Sequence, residues 1–143
     1  MRILGLDYGE KRIGVAVCDE LGITAQGLPT LIRQTQKHDL EVLNRWIQQY
    51  SIQEIVIGYP LRLDGSEGIQ CEKVKRFALL LEKKFMLPVI KWPETLSTKE
   101  AEEILITSGV RWRKRKVTVD RLAACLILQS SLDQIRKSGA GRV

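Results

Sequence analysis

Three acidic residues stand at positions where a carboxylate could do chemistry. Asp7 lies in an apolar segment, 2–8, where aspartate is disfavoured because burying an unpartnered charge is costly. Glu94 follows a predicted short strand, 88–92, in a strand-to-helix loop of the kind that carries functional groups in α/β proteins. Asp120 leads a helical stripe that should pack on a sheet. Each acid also has a purely structural interpretation: a turn residue, a solvated loop residue and a helix-start acid favoured by the helix dipole, respectively.

If the three carboxylates converge, they predict a site for divalent metal ions. Two carboxylates about 4 Å apart repel by about 4 kcal/mol at an effective dielectric constant of about 20, and a divalent cation removes that repulsion. An all-oxygen ligand set favours Mg²⁺ or Mn²⁺ over zinc. Paired metal ions held by carboxylates suit hydrolysis of a phosphodiester, because one activates water while the other stabilises the leaving oxygen.

A basic segment directly precedes the helix that carries Asp120. It places five cations and one indole in six residues and is predicted to be a loop: Arg111, Trp112, Arg113, Lys114, Arg115 and Lys116. Cations neutralise phosphates and a tryptophan can stack on an exposed base, so the segment favours nucleic acid as the substrate. Lys11 and Arg12, in the turn of the first predicted hairpin, would extend the same surface. A solvated charged loop is the alternative interpretation.

Composition narrows the possible function classes. The formal charge of +6 agrees with a nucleic-acid partner. No apolar stretch approaches the roughly 20 residues of a membrane span, and the start lacks a signal-peptide pattern, which predicts a cytoplasmic protein without a membrane partner. Cys18, Cys71 and Cys125 form no CxxC pair and are predicted to be buried thiols. The single histidine, His38, is predicted to be solvated at a helix start, which leaves no histidine-based hydrolase.

Hydrophobic periodicity predicts an α/β fold. The predicted strands cover 2–8, 12–18, about 27–33, 52–58 and 88–92, and the predicted helices cover 37–50, 71–85, about 97–109 and 117–137. This order predicts a mixed sheet, a three-stranded antiparallel meander followed by parallel strands, flanked by helices. We expect one domain over residues 1–137 and a polar C-terminal tail over 138–143.

Several motifs resemble one known family. Residues 5–17 are similar to the N-terminal signature of the YqgF/RuvX proteins, which have an RNase H-like fold and are related to the Holliday-junction resolvase RuvC. Further matching segments follow in the same order, at 22–26, 58–60, 64–65, 94–98 and 119–124. The resemblance implies a cytoplasmic, metal-dependent nuclease that matures the 5′ end of pre-16S ribosomal RNA, with its acidic triad at Asp7, Glu94 and Asp120. The family commonly has Asp-Glu-Arg around the second acid, where this chain has Pro93, Glu94 and Thr95.

Other functions remain open on the sequence. Some relatives are discussed as enzymes that cut branched DNA, so a Holliday-junction resolvase is one alternative. The departures at Pro93 and Thr95 favour a second, a catalytically silent module that only binds nucleic acid. A third is nucleotide phosphohydrolysis, because residues 5–9 also resemble a phosphate-binding segment of actin-like ATPases and sugar kinases, although those enzymes need two domains. The sequence leaves a monomer and a homodimer equally open.

Overall fold

A computed structural model describes the backbone of residues 2–62, 64–94 and 112–137, and their side chains except at 94, 112–120 and 136–137. The described elements, in chain order, are β1 (Arg2–Tyr8), β2 (Arg12–Cys18), β3 (Ala25–Gly27), β4 (Leu31–Ile32), α1 (Gln36–Gln49), β5 (Ile52–Pro60), α2 (Ile69–Phe85), β6 (Val89–Glu94) and α3 (Trp112–Lys137). None of the described helices has the length and apolar character needed to cross a bilayer.

The strands form one mixed sheet in the order β3-β2-β1-β5-β6, and β4 also pairs with β2. β2 runs antiparallel to β1, β3 and β4, whereas β1, β5 and β6 are mutually parallel. The predicted antiparallel meander followed by parallel strands is therefore confirmed. The first hairpin has the predicted bounds, because two apolar segments are separated by a turn at Gly9, whose N–H donates to the Arg12 carbonyl at 3.0 Å.

Side chains of the sheet alternate between two apolar layers. Leu4 and Leu6 of β1 belong to the layer that includes residues of α1 and α2. Ile3 belongs to the opposite layer, which includes Ala124 and Leu128 of α3. Burial of one such side chain stabilises the fold by about 1.5–3 kcal/mol, so both faces of the sheet depend on their helices.

α3 crosses the sheet at unusually short range, over two glycines. A Cβ atom at Gly5 would lie 2.7 Å from the Cβ of Leu128, and one at Gly27 would lie 2.5 Å from the Cγ of Arg121. Along β3, Gly27 lies against Arg121, whereas the Ala25 N–H donates to the Gln129 side-chain oxygen at 2.9 Å, so α3 runs antiparallel to β3. Because β3 and β1 are parallel to each other, α3 is also antiparallel to β1.

Three element predictions were wrong in detail. Residues 112–116 are the first turns of α3 rather than loop, because Arg and Lys are good helix formers and no Gly or Pro interrupts the helix. Glu94 ends β6 rather than following it, since β6 keeps pairing with β5 as far as Pro60. The third predicted strand is split into β3 and β4 around Pro29, which has no N–H to donate to a ladder. The helix predicted at 97–109 lies outside the described residues.

Candidate active site at the carboxyl edge of the sheet

Three parallel strands end at one edge of the sheet, which we call the carboxyl edge. β1 ends there at Tyr8, β5 at Pro60 and β6 at Glu94. In α/β sheets, functional side chains collect outside this edge, because chain segments leave the strands there and are free to vary. If the predicted acidic residues form one site, we expect it at this edge.

Asp7 is the penultimate residue of β1 and pairs with Gly14 of β2. The strand continues through it, so the interpretation of Asp7 as the start of a turn is wrong. Successive strand residues face opposite sides, and Asp7 therefore shares the α3 side of the sheet with Ile3 and Gly5. Its side chain is partly exposed. Asp7 therefore lies near the end of a strand, with its side chain partly accessible to solvent.

The backbone of Asp120 approaches the same edge from α3. The Ala124 carbonyl oxygen lies 3.4 Å from where a Gly5 Cβ would be. One helical turn towards the start of α3, about 6 Å, leads from Ala124 to Asp120. Two strand residues, about 6.6 Å, lead from Gly5 to Asp7. Because α3 is antiparallel to β1, both steps run towards the carboxyl edge.

Glu94 reaches the edge from the other side of β5. It is the last residue of β6, it pairs with Pro60, and it lies two residues beyond Trp92, which packs with the apolar residues of α3. Two strand spacings, about 10 Å, separate β6 from β1. The backbones of all three predicted acids therefore lie at the carboxyl edge.

Convergence of the three side chains stays a prediction. Among the side chains that the structure describes, no three His, Cys, Asp or Glu residues cluster closely enough to hold a metal ion. Of the three predicted ligands, only Asp7 belongs to that described set; the side chains of Glu94 and Asp120 lie outside it.

The predicted cations also lie at this edge as far as they are described. Lys11 is exposed in the β1–β2 turn, and Arg12 is the partly buried first residue of β2. A Cβ at Gly9 would lie only 2.7 Å from the Arg12 carbonyl oxygen, so the tight turn requires glycine. The backbone of residues 112–116 forms the start of α3, and Arg111 lies outside the described residues.

Arg33 holds the β1–β2 turn in place, although no motif or periodicity indicates this role. Its Nη1 donates to the carbonyl oxygens of Gly9 at 2.9 Å and Glu10 at 3.1 Å. Its backbone N–H donates to the Lys11 carbonyl at 2.9 Å. On its other side the guanidinium faces Asp39, with Nε 3.7 Å from a carboxylate oxygen that is almost fully buried. The turn that presents Lys11 is therefore fixed to the start of α1.

A polar cleft of about 330 Å³ opens beside this turn. It is lined by Tyr8, Gly9, Glu10, Arg33, Gln70 and Lys73. Lys73 donates to Glu10 at 3.0 Å, and this hydrogen bond is the main cause that lowers the pKa of the Glu10 carboxyl. Gln70 donates to the Tyr8 carbonyl at 3.2 Å, which ties the start of α2 to the end of β1.

A second group of hydrogen-bonded side chains joins the end of β5 to α2. The Tyr59 hydroxyl donates to Glu67 at 2.6 Å, and Lys75 donates to the other oxygen of the same carboxylate at 3.1 Å. Burial, followed by the hydrogen bond to Glu67, raises the pKa of Tyr59 to about 12. The hydrogen bond from Tyr59, followed by that from Lys75, lowers the pKa of Glu67. The segment after β5 is thus attached to α2.

The three cysteines and the histidine are each at least partly covered by the fold. All three cysteines are free thiols; Cys18 and Cys71 are buried, and Cys125 is half-buried with its pKa raised by burial. His38 lies in the first turn of α1, and its Nδ1 is 3.1 Å from the Asp39 carboxylate. It is therefore partly covered rather than fully solvated as predicted.

Comparison with known proteins supports the resemblance noted in the sequence. A family model described as "RuvX: Holliday junction resolvase" matches residues 1–134. A relative from Syntrophus aciditrophicus is 66% identical over 135 residues, covering 94% of this chain and 90% of the relative. One from Halothermothrix orenii is 48% identical over 137 residues, covering 96% and 98% respectively. Both carry the name "Putative pre-16S rRNA nuclease".

Two solved structures are similar in fold. RuvC from T. thermophilus, in complex with a Holliday junction substrate, matches with a TM-score of 0.54 at 15% identity and covers 97% of each chain. The Fowlpox virus resolvase, in complex with Holliday junction DNA, matches with a TM-score of 0.53 at 13% identity and covers 92% of this chain and 99% of the resolvase. These matches confirm the predicted RNase H-like fold class.

Proposed function

The chain belongs to the RuvX family, and we propose that it is a nuclease that hydrolyses phosphodiester bonds at the carboxyl edge. The observation that carries this proposal is the common location of three acidic positions. The backbones of Asp7, Glu94 and Asp120 reach one edge of the sheet from β1, β6 and α3. The basic β1–β2 turn and the basic start of α3 belong to the same edge.

We propose that Asp7, Glu94 and Asp120 together hold one or two divalent cations. The donor set fits this role, because carboxylate oxygens are the ligands that Mg²⁺ and Mn²⁺ prefer. Such an ion, when bound, would activate water and stabilise the leaving oxygen. The contribution of the chain is to hold three negative charges at one point of a rigid sheet edge. The tight packing of α3 on Gly5 fixes the distance between Asp120 and β1.

The cations of this edge would bind and orient the nucleic-acid backbone. Lys11 is exposed on a turn that Arg33 fixes, so its ammonium can reach a phosphate without a change in the turn backbone. Arg12 belongs to the same turn. We assign the same role to Arg111, Arg113, Lys114, Arg115 and Lys116, with Trp112 available for stacking on a base.

The substrate we favour is precursor 16S ribosomal RNA, because the relatives from Syntrophus aciditrophicus and Halothermothrix orenii are named for it and align along nearly the whole chain. We infer a cytoplasmic location from that substrate. A four-way DNA junction is the second candidate, since the family description and the structural neighbours name Holliday junctions. A module that binds nucleic acid without cutting it is the third.

One experiment separates these candidates. The protein is incubated with precursor 16S RNA and with a four-way DNA junction, each with Mg²⁺, Mn²⁺ or a chelator. We expect metal-dependent cleavage of the RNA, and its loss in the Asp7→Asn variant while the fold is retained. Glu41→Gln, which removes an exposed acid of α1, is the charge-matched control and should cleave normally. Full activity of Asp7→Asn would contradict the mechanism. Cleavage of the junction but not of the RNA would identify the four-way DNA junction as the substrate instead.

A further inference from the structure

The described residues between β5 and α2, 61–62 and 64–68, lie at the carboxyl edge, and we call them the β5–α2 loop. Leu61 and Glu67 form a β-bridge across its base. The Arg62 N–H donates to the Ser66 carbonyl at 2.9 Å, and the Gly65 N–H donates to the Arg62 carbonyl at 2.8 Å. The loop therefore has an internal hydrogen-bond network of its own and does not depend on a ligand for its conformation.

Both acidic side chains of the loop are engaged by neighbouring donors. Asp64 accepts hydrogen bonds from the Ser66 N–H at 2.9 Å and the Ser66 hydroxyl at 2.6 Å. Glu67 accepts from Tyr59 and Lys75, as described above. The negative charges of the loop are thus used to fix its shape and its attachment to α2.

Arg62 differs from these residues. Its side chain is exposed, and within the described residues no carboxylate or carbonyl accepts a hydrogen bond from its guanidinium. The group lies against Gly68, where a Cβ would be 3.3 Å from Nε, so the absence of a side chain there leaves room for the guanidinium. The hydrogen bonds of the loop hold the Arg62 backbone, and the donors of its guanidinium are available to an anion.

The position of Arg62 relative to the acidic residues indicates which anion its guanidinium binds. β5 lies between β1, which carries Asp7, and β6, which ends at Glu94. Arg62 follows the end of β5 by two residues, so the loop leaves the carboxyl edge between the two strands that carry the proposed metal ligands. The β1–β2 turn with Lys11 leaves the same edge on the neighbouring strand. Arg62 therefore follows the strand that separates the strand of Asp7 from the strand of Glu94.

We propose that Arg62 binds a backbone phosphate of the nucleic-acid substrate where the substrate lies along the carboxyl edge. The inference rests on the proposed nuclease function. It adds a substrate contact on the α2 side of the carboxyl edge, opposite the basic start of α3. The planar guanidinium can bind a phosphate through two parallel N–H donors, which the flexible ammonium of a lysine cannot do.

The test is equilibrium binding of a labelled single-stranded RNA and of a labelled four-way DNA junction, both in chelator so that nothing is cut, over a salt series. We expect Arg62→Gln to raise the Kd for RNA about three- to tenfold. The slope of log K against log salt should become shallower by about 0.7, the value for one phosphate contact on a single strand. Arg62→Lys should keep most of the slope and lose part of the affinity.

Arg45→Gln is the matched control. Arg45 is also an exposed arginine, and within the described residues its side chain has no hydrogen bond or ion pair. It lies towards the end of α1, which leads into the start of β5 at the opposite edge of the sheet. The substitution removes the same charge far from the carboxyl edge, so the Kd and the salt slope should stay at the wild-type values.

Each outcome decides the inference. Equal Kd values and salt slopes for Arg62→Gln and Arg45→Gln would overturn it, and so would a wild-type protein that binds neither probe. A stronger effect on the junction than on the RNA would keep the phosphate contact and assign it to DNA. Cleavage is measured separately with metal: a protein that binds through Arg62 but never cuts contradicts the nuclease proposal alone.

Discussion

The guanidinium of Arg33 lies over the ring of Tyr8, with its central carbon 4.6 Å from the ring centroid. Tyr8 is the last residue of β1, and its ring also stacks on Phe77 of α2 at a centroid distance of 4.4 Å. Arg33 therefore joins the end of the strand that carries Asp7 to the β1–β2 turn and to the buried Asp39. The geometry of the proposed active site therefore depends on Arg33, which packs on Tyr8 on the side of the sheet opposite α3.

Replacing Arg33 should destabilise the protein. In Arg33→Gln the carbonyls of Gly9 and Glu10 lose a charged donor, and the buried Asp39 loses its neighbouring positive charge. We expect the free energy of unfolding to fall by about 2 kcal/mol, as measured by urea denaturation. A double-mutant cycle with Asp39→Asn should give a coupling energy of about 1 kcal/mol. Strictly additive effects would show that the pair does not interact.

Adding one methyl group at Gly5 should disturb the packing of α3. The new Cβ of Gly5→Ala would lie 2.7 Å from the Leu128 Cβ, which is fixed to the helix backbone, so α3 must move away. We expect a loss of about 2 kcal/mol in the free energy of unfolding and a lower cleavage rate, because Asp120 moves with α3.

Gly68→Ala is the control for this substitution. A Cβ there would meet only the end of the Arg62 side chain, at 3.3 Å, and the φ angle of −106° is accessible to alanine. The free energy of unfolding should change by no more than about 0.5 kcal/mol. Equal losses in the two variants would contradict the short approach of α3 to β1.

Stability should depend on Tyr59 at high pH. Because the pKa of Tyr59 is raised from 10.0 to about 12, the folded protein keeps a proton that the unfolded chain releases. This contribution is fully present below about pH 10 and is lost as the pH rises to about 12. Tyr59→Phe should therefore show a weaker decline in unfolding free energy over this range. An equal decline in Tyr59→Phe and in the wild type would contradict the raised pKa of Tyr59.

The same variant should behave differently from wild type in acid. The pKa of Glu67 is lowered mainly by the Tyr59 hydroxyl, so Glu67 stabilises the folded state above its usual pKa of 4.5 and loses this contribution as the pH falls below it. In Tyr59→Phe the pKa of Glu67 should rise towards 4.5, and the acid-induced loss of stability should be smaller. An unchanged acid profile would contradict the Tyr59–Glu67 hydrogen bond.

Metal binding should be measurable without substrate. If Asp7, Glu94 and Asp120 hold Mg²⁺, the ion stabilises the folded protein by about 2.7 kcal/mol when its free concentration is about 100 times Kd. We expect the Tm of the wild type and of Glu41→Gln to rise with Mg²⁺, and that of Asp7→Asn to stay constant. An equal response of all three proteins would contradict the metal site.

The predictions from sequence were most accurate where local pattern decides structure. β1 and β2 have the predicted bounds, and α1 was predicted within one residue, because apolar periodicity and the turn at Gly9 are local signals. The prediction of a loop at residues 112–116 is wrong because a run of charge is compatible with either a loop or a helix, and the high helix propensity of Arg and Lys favours the helix.

The residues that sequence reasoning missed have roles that only tertiary structure reveals. Arg33 is important because Gly9 and Asp39 lie beside it. Arg62 is important because the acidic side chains of its loop are hydrogen-bonded to other donors, so that its guanidinium has no acceptor among the described residues. Likewise, Glu10 and Lys73 pair across 63 positions of sequence. No periodicity or motif encodes such pairs, since each side chain alone resembles any other exposed charge.

The side-chain amide of Gln129 accepts from the Ala25 N–H and donates to the Ile23 carbonyl, each at 2.9 Å, across more than a hundred positions of sequence. α3, more than a hundred positions later in the chain, therefore covers a surface built by β1, β2 and β3. During synthesis that surface stays bare until α3 has emerged from the ribosome, and chaperones can bind it in this interval. The sheet face that packs on α3 would thus be completed later than the face that packs on α1 and α2.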